Sequence, residues 1–155
     1  MRNISNWKFR KWVDWIKNSP SDIPTDVWHY INLEIYPEDI EIMSTIFMPT
    51  TFEHRGIILL NIEGSHENEI RDMFDKGLTN LSNITEAQES MNRLILTHVF
   101  FDHYEKSSDS TLMNIAKLIQ HTWEYFLIKK YPDRQFVVKI VGESFEPVVT
   151  FYEVS

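Results

Sequence analysis

Cysteine is absent from the chain. Its absence excludes disulfides, thiolate nucleophiles, iron–sulfur clusters and cysteine zinc sites together, and a disulfide-free chain fits a reducing, cytoplasmic setting. Glycine is almost as scarce: Gly56, Gly64, Gly77 and Gly142 are the only four. None stands in GxGxxG or in GxxxxGK followed by Ser or Thr, which disfavours the nucleotide-binding folds that depend on those phosphate loops. Neither a G-x-S-x-G elbow nor an H-E-x-x-H helix is present, so what survives among enzymes are hydrolases and isomerases without a local signature. Long apolar runs are lacking too. The longest, such as Gly56 to Leu60, is far too short to cross a bilayer. Arg2, Lys8, Arg10, Lys11 and Lys17 interrupt the first eighteen residues, unlike the apolar core of a secretory signal.

There is no excess of positive charge: the formal net charge is −8. A sequence-independent grip on nucleic acid, which depends on clustered Lys and Arg, is therefore not expected. The charge is unevenly placed. Residues 1–18 hold five basic side chains against Asp14 alone, or +4, which leaves −12 for the rest. What the chain does have is apolar area. With 43% hydrophobic and 14% aromatic residues it can offset the ordering entropy that keeps polar chains unfolded. A length of 155 residues with no Pro/Gly/Ser-rich linker predicts one α+β domain over 1–155, a basic, Trp-rich N-terminal helix over 1–18 leading into an acidic body over 19–155.

Hydrophobic spacing gives the elements. Phe9, Trp12, Val13 and Ile16 recur at helical intervals within Asn6 to Lys17. Val27, His29, Ile31, Leu33 and Ile35 alternate with a more polar set, the period of a strand. Pro37-Glu38-Asp39 reads as a helix start, and Ile40 to Phe47, which fits either a helix or a strand, is assigned to the helix. The apolar run from Gly56 to Ile62 predicts a central strand covered on both faces. Ser65 is placed as the cap of a helix over Glu67 to Leu78. A Thr85/Gln88 capping box predicts one continuous helix to about Phe101. The longest helix is expected from Ser110 to Lys130, and Phe136–Val141 with Val148–Val154 as an antiparallel hairpin. The sum is an antiparallel or mixed sheet of three to five strands with four to five helices on it.

Two sets of residues carry candidate chemistry. On the predicted helix of 85–101, Ala87, Met91, Leu94, Ile95 and Phe101 form the inward stripe, with His98 in its middle and Asp102 one turn on. A carboxylate that orients an imidazole is the heart of many acid/base sites; the same pair also serves as a buried, hydrogen-bonded structural dyad. His121 and Glu124 have metal-ligand spacing but lie opposite Trp123 and Phe126, as an exposed pair would. No metal or cofactor is expected. The second set is acidic and aromatic: Glu34, Glu38, Asp39 and Glu41 beside Trp28 and Tyr36, with Trp7 as a further anchor among basic neighbours. Helix-start carboxylates and solvated faces explain the same acids.

The expected function is a non-catalytic module that binds a basic protein, with no nucleic acid and no membrane as partner. Small, acidic, cysteine-free α+β chains without catalytic motifs resemble in general character the bacterial immunity proteins that neutralise basic toxin or effector domains; no motif carries that likeness. The alternative is a small enzyme or ligand-binding protein built on His98 and Asp102. A basic helix and an acidic body also leave a head-to-body homodimer open.

Overall fold

The computed structural model describes residues 9–20, 26–62, 64, 66–81 and 83–154. The chain divides into two units, Met1–Ile42 and Met43–Ser155.

In the first unit, α1 (Arg10–Asn18) packs on α2 (Val27–Glu34). The indole of Trp15 stands edge-on to Tyr30 at 5.5 Å, and its Nε1 donates to Glu34 Oε1 at 2.9 Å. Ile16 and Tyr30 are buried; Trp12 and Val13 are half-buried and Phe9 is exposed. The strand expected over 27–35 is thus a helix. Asp26 caps it by accepting from His29 N at 2.9 Å, a local bond that outweighs the β-branched alternation. α3 (Pro37–Phe47) follows, as expected, and its last turn belongs to the second unit.

The second unit opens with a hairpin of β1 (Thr50–His54) and β2 (Ile57–Asn61) that sequence spacing identified only in its second half. Its two-residue loop has Arg55 and Gly56 at φ +51° and +79°, the left-handed pair that a tight hairpin turn requires. β2 is covered on both faces, since Ile58 and Leu60 enter one cluster and Leu59 another. Among the described residues β1 is its one strand neighbour, so β2 is not a central strand. Its free edge is filled by Asn92, whose Oδ1 accepts from Leu60 N at 2.8 Å and whose Nδ2 donates to Ile58 O at 3.0 Å.

That asparagine also explains why one predicted helix becomes three elements. α4 (Glu67–Asn80) is followed by α5 (Ile84–Met91), which stops at Asn92; β3 (Arg93–Ile95) and the single turn α6 (Leu96–Val99) come next. The wholly buried Asn92 joins both sheets, because its carbonyl accepts from Phe151 N at 3.2 Å while its amide pairs with β2. The capping box is corrected as well. Asn83 caps α5 by accepting from Thr85 N and Glu86 N, and Gln88 turns inward to accept from Glu153 N at 2.8 Å. Ser65 lies outside the described residues.

α7 (Asp109–Lys130) covers a three-stranded antiparallel sheet ordered β3-β5-β4, where β4 is Phe136–Val141 and β5 is Val148–Glu153. Leu112, Ile119 and Trp123 of the stripe that sequence spacing marks with Ile115 and Phe126 are buried, joined by Ala116 and Leu127, while Ile115 and Phe126 are partly buried beside them. Trp123 stacks edge-on to Phe151 at 5.8 Å and donates Nε1 to Ile46 O at 2.8 Å, so the largest side chain of the core has its polar atom satisfied. The architecture is α+β and ends in the predicted hairpin.

Candidate partner-binding surface

α2 and α3 expose what helices ordinarily bury. Between 27 and 42 the large apolar side chains Val27, Trp28, Ile31, Leu33, Tyr36, Ile40 and Ile42 are all exposed, Trp28 and Tyr36 by 66% and 69%, and Tyr30 alone in that span is buried. On α2, Ile31 lies beside both Val27 and Trp28, four and three positions back along the helix. From Asn18 to His54 the chain holds no Lys or Arg but seven acids: Asp22, Asp26, Glu34, Glu38, Asp39, Glu41 and Glu53. Apolar anchors and a run of acids without Lys or Arg therefore occur on the same stretch of sequence.

The individual acids differ in their roles. Glu34 is exposed, yet one of its oxygens holds the Trp15 indole. Asp39 reaches back to accept from Tyr36 N at 3.0 Å, a helix-start contact that fixes the entry into α3. Glu38 and Glu41, one turn apart on α3, are exposed. The Asp26 carboxyl lies below its ordinary value, first because His29 N donates to it and then because the His29 ring does, at 2.9 Å from Nδ1. Trp7 lies outside the described residues.

The His98/Asp102 arrangement rests on a helix that does not form. α6 ends at Val99, Asp102 sits in the turn beyond, and no hydrogen bond or ion pair joins the two side chains. His98 is exposed instead of facing the core, and so is Phe101. His121 projects into solvent with Glu124 Oε2 3.5 Å away. Among the described residues no group of three or more His, Asp or Glu side chains gathers to hold a metal ion. No helix of the described residues is long and apolar enough to cross a membrane.

Sequence reading passed over a different histidine. His54 ends β1 with Nε2 2.9 Å from Asp75 Oδ1 and Nδ1 3.2 Å from Arg71 Nη1, both partners lying on α4. Arginine has only donors, so Nδ1 accepts and Nε2 carries the proton shared with Asp75. That bond, followed by the charge of Arg55 with Nη2 2.9 Å from Oδ2, holds the Asp75 carboxyl below its ordinary value against the desolvation that raises it. With both ring nitrogens engaged and the Arg71 guanidinium 4.7 Å over the Phe52 ring, the cluster clamps β1 to α4. Only the tertiary fold brings residues 54, 71 and 75 together, so no local spacing announced them.

Side chains engage backbone groups on the edges of β1, β2 and β4. Lys130 donates to Thr51 O at 3.1 Å and Arg71 to Glu53 O at 3.4 Å along β1, Asn92 fills β2, and Gln120 donates to Val138 O at 3.0 Å on β4. No family model, curated protein or solved structure matches the chain.

Proposed function

We propose that the protein is a non-catalytic binding module whose acidic, aromatic-bearing α2–α3 segment engages a basic protein, in the manner of an inhibitor of a cationic toxin or effector domain. The observation that carries this reading is the set of seven exposed apolar side chains on a stretch without a single Lys or Arg. Exposed Trp and Tyr supply large contact area at low entropic cost, and the surrounding carboxylates steer a basic partner and exclude acidic ones. The engaged sheet edges support contact through side chains instead of strand addition.

The test is a pull-down with the tagged chain at low and high salt, run in parallel with Trp28→Ala and Glu38→Lys/Glu41→Lys. A basic protein that is retained by wild type, released by salt and lost by both variants is the expected result. For that partner, Trp28→Ala weakens binding by about thirtyfold, a hot-spot loss of roughly 2 kcal/mol. Charge reversal slows association and flattens its salt dependence. Retention of the same proteins by all three chains would remove this segment from the binding surface.

A further inference from the structure

The long helix α7 carries two apolar stripes, whereas a helix packed on one sheet needs only one. Leu112, Ala116, Ile119, Trp123 and Leu127 are the buried set. Leu118, Tyr125 and Ile128 are the second, exposed by 51%, 67% and 61%. Seven and ten positions apart, they fall within about a quarter of the helix circumference and along about 15 Å of its axis. This outward row gains little from folding, because most of its surface stays in water.

The rim of this row is basic in a chain that is acidic overall. Lys117, His121 and Lys129 are exposed beside it, and the Lys129 ammonium lies 5.6 Å over the Tyr125 ring. The one acid on this side, Glu124, has its carboxylate 3.5 Å from the His121 ring. The α7 face thus combines apolar anchors with positive charge, the reverse of the α2–α3 segment.

We propose that the outward face of α7 is a second docking site, for an acidic amphipathic helix of another protein. The partner's apolar side chains cover Leu118, Tyr125 and Ile128, and its carboxylates reach Lys117 and Lys129. A helix is the fitting occupant because the anchors follow a helical row and the α7 backbone is bonded internally, which leaves ridge-to-groove packing of side chains as the mode of contact. An anionic bilayer fits less well, since it would bring a chain of net charge −8 against a surface of like sign. Three anchors are few for an interface of standard size, so the contact is of the transient kind.

A selection from a displayed random-peptide library on the full chain tests this directly. Peptides are kept if they bind wild type but not Leu118→Ser/Ile128→Ser. These positions are exposed, so thermal melts of the variants should match wild type. The expected survivors carry Asp or Glu together with apolar residues at three- and four-residue spacing. They lose about tenfold or more in affinity on Lys117→Glu/Lys129→Glu and bind Glu38→Lys/Glu41→Lys normally. That last arm separates this site from the α2–α3 reading: each pair of charge variants affects one surface, and either surface can fail without the other. The proposal is overturned if no peptide distinguishes wild type from Leu118→Ser/Ile128→Ser, or if those that do are cationic or lack helical spacing. It is equally overturned if the serine variant instead abolishes self-association or binding to vesicles of mixed phosphatidylcholine and phosphatidylglycerol, with no acidic peptide selected.

Discussion

Of the described large apolar side chains in Met1–Ile42, only Ile16 and Tyr30 are buried, while among those of Met43–Ser155 fourteen are, from Phe52 to Phe151. The composition of the two stretches does not account for this, since α2 and α3 are rich in Val, Ile, Leu and Trp. What differs is whether a second apolar layer faces them. α7 lies on a sheet and buries an unbroken stripe along its length; α2 meets α1 through Trp15 and Tyr30 and leaves the rest of its surface in water. Apolar side chains mark a contact surface only when the fold leaves them without a layer to pack on, which composition alone does not reveal.

The largest effect expected is at Trp123. Trp123→Ala should cost about 3–5 kcal/mol, as a large aromatic lost from a packed core does. Trp28→Ala should stay within about 0.5 kcal/mol of wild type, so urea denaturation of the two variants weighs the comparison directly. A Trp28 variant as unstable as the Trp123 one would make α2 part of a core and end the contrast.

Next comes Asn92→Leu. It keeps the branching of the side chain but strands Leu60 N–H and Ile58 C=O inside the second unit, at a cost of about 2–4 kcal/mol. Full stability in this variant would mean that the edge of β2 finds another partner. Gly142→Ala should cost about 1–3 kcal/mol. Gly142 has φ +85°, and a Cβ there would stand 2.6 Å from Glu146 O. The loss should appear as faster amide exchange across β4 and β5.

The smallest effects are in acid. Asp26 in the first unit and Asp75 in the second both have carboxyl pKa values below the ordinary 3.8. A carboxyl depressed in the folded state binds its proton more readily when unfolded. Its stabilising contribution is therefore fully present above pH 3.8 and lost as pH falls through the lower folded value. Asp75→Asn should flatten the acid limb of the global unfolding curve, while Asp26→Asn should change the acid dependence of α2 helicity. Identical acid limbs in wild type and both variants would show that neither carboxylate matters to acid unfolding.

Much of the fold was legible because its signals are local. The stripe of α7, the turn between β4 and β5 and the proline-led start of α3 each lie within a few residues of what they specify. The misreadings share a cause. Val27 to Ile35 alternates like a strand because a helix that buries only Tyr30 has no stripe to impose a longer period. The helix expected through Phe101 stops at Met91 because Asn92 is drawn into the edge of β2, more than thirty positions away in the chain. The candidate surface was legible as chemistry, in Trp28, Tyr36 and the acids around them, but its exposure was not.

By itself, then, the sequence determined the absence of thiol chemistry and of the common phosphate loops, the acidic character of the 18–54 stretch, and the helices and hairpin whose periodicity is written over neighbouring residues. The tertiary structure alone decided that His98 faces solvent, that His54 meets Asp75 and Arg71, and which apolar stripes are covered. The physical reason is one of range. Propensity and capping act within about one turn of chain, whereas burial and polar satisfaction are settled by groups that only folding brings together.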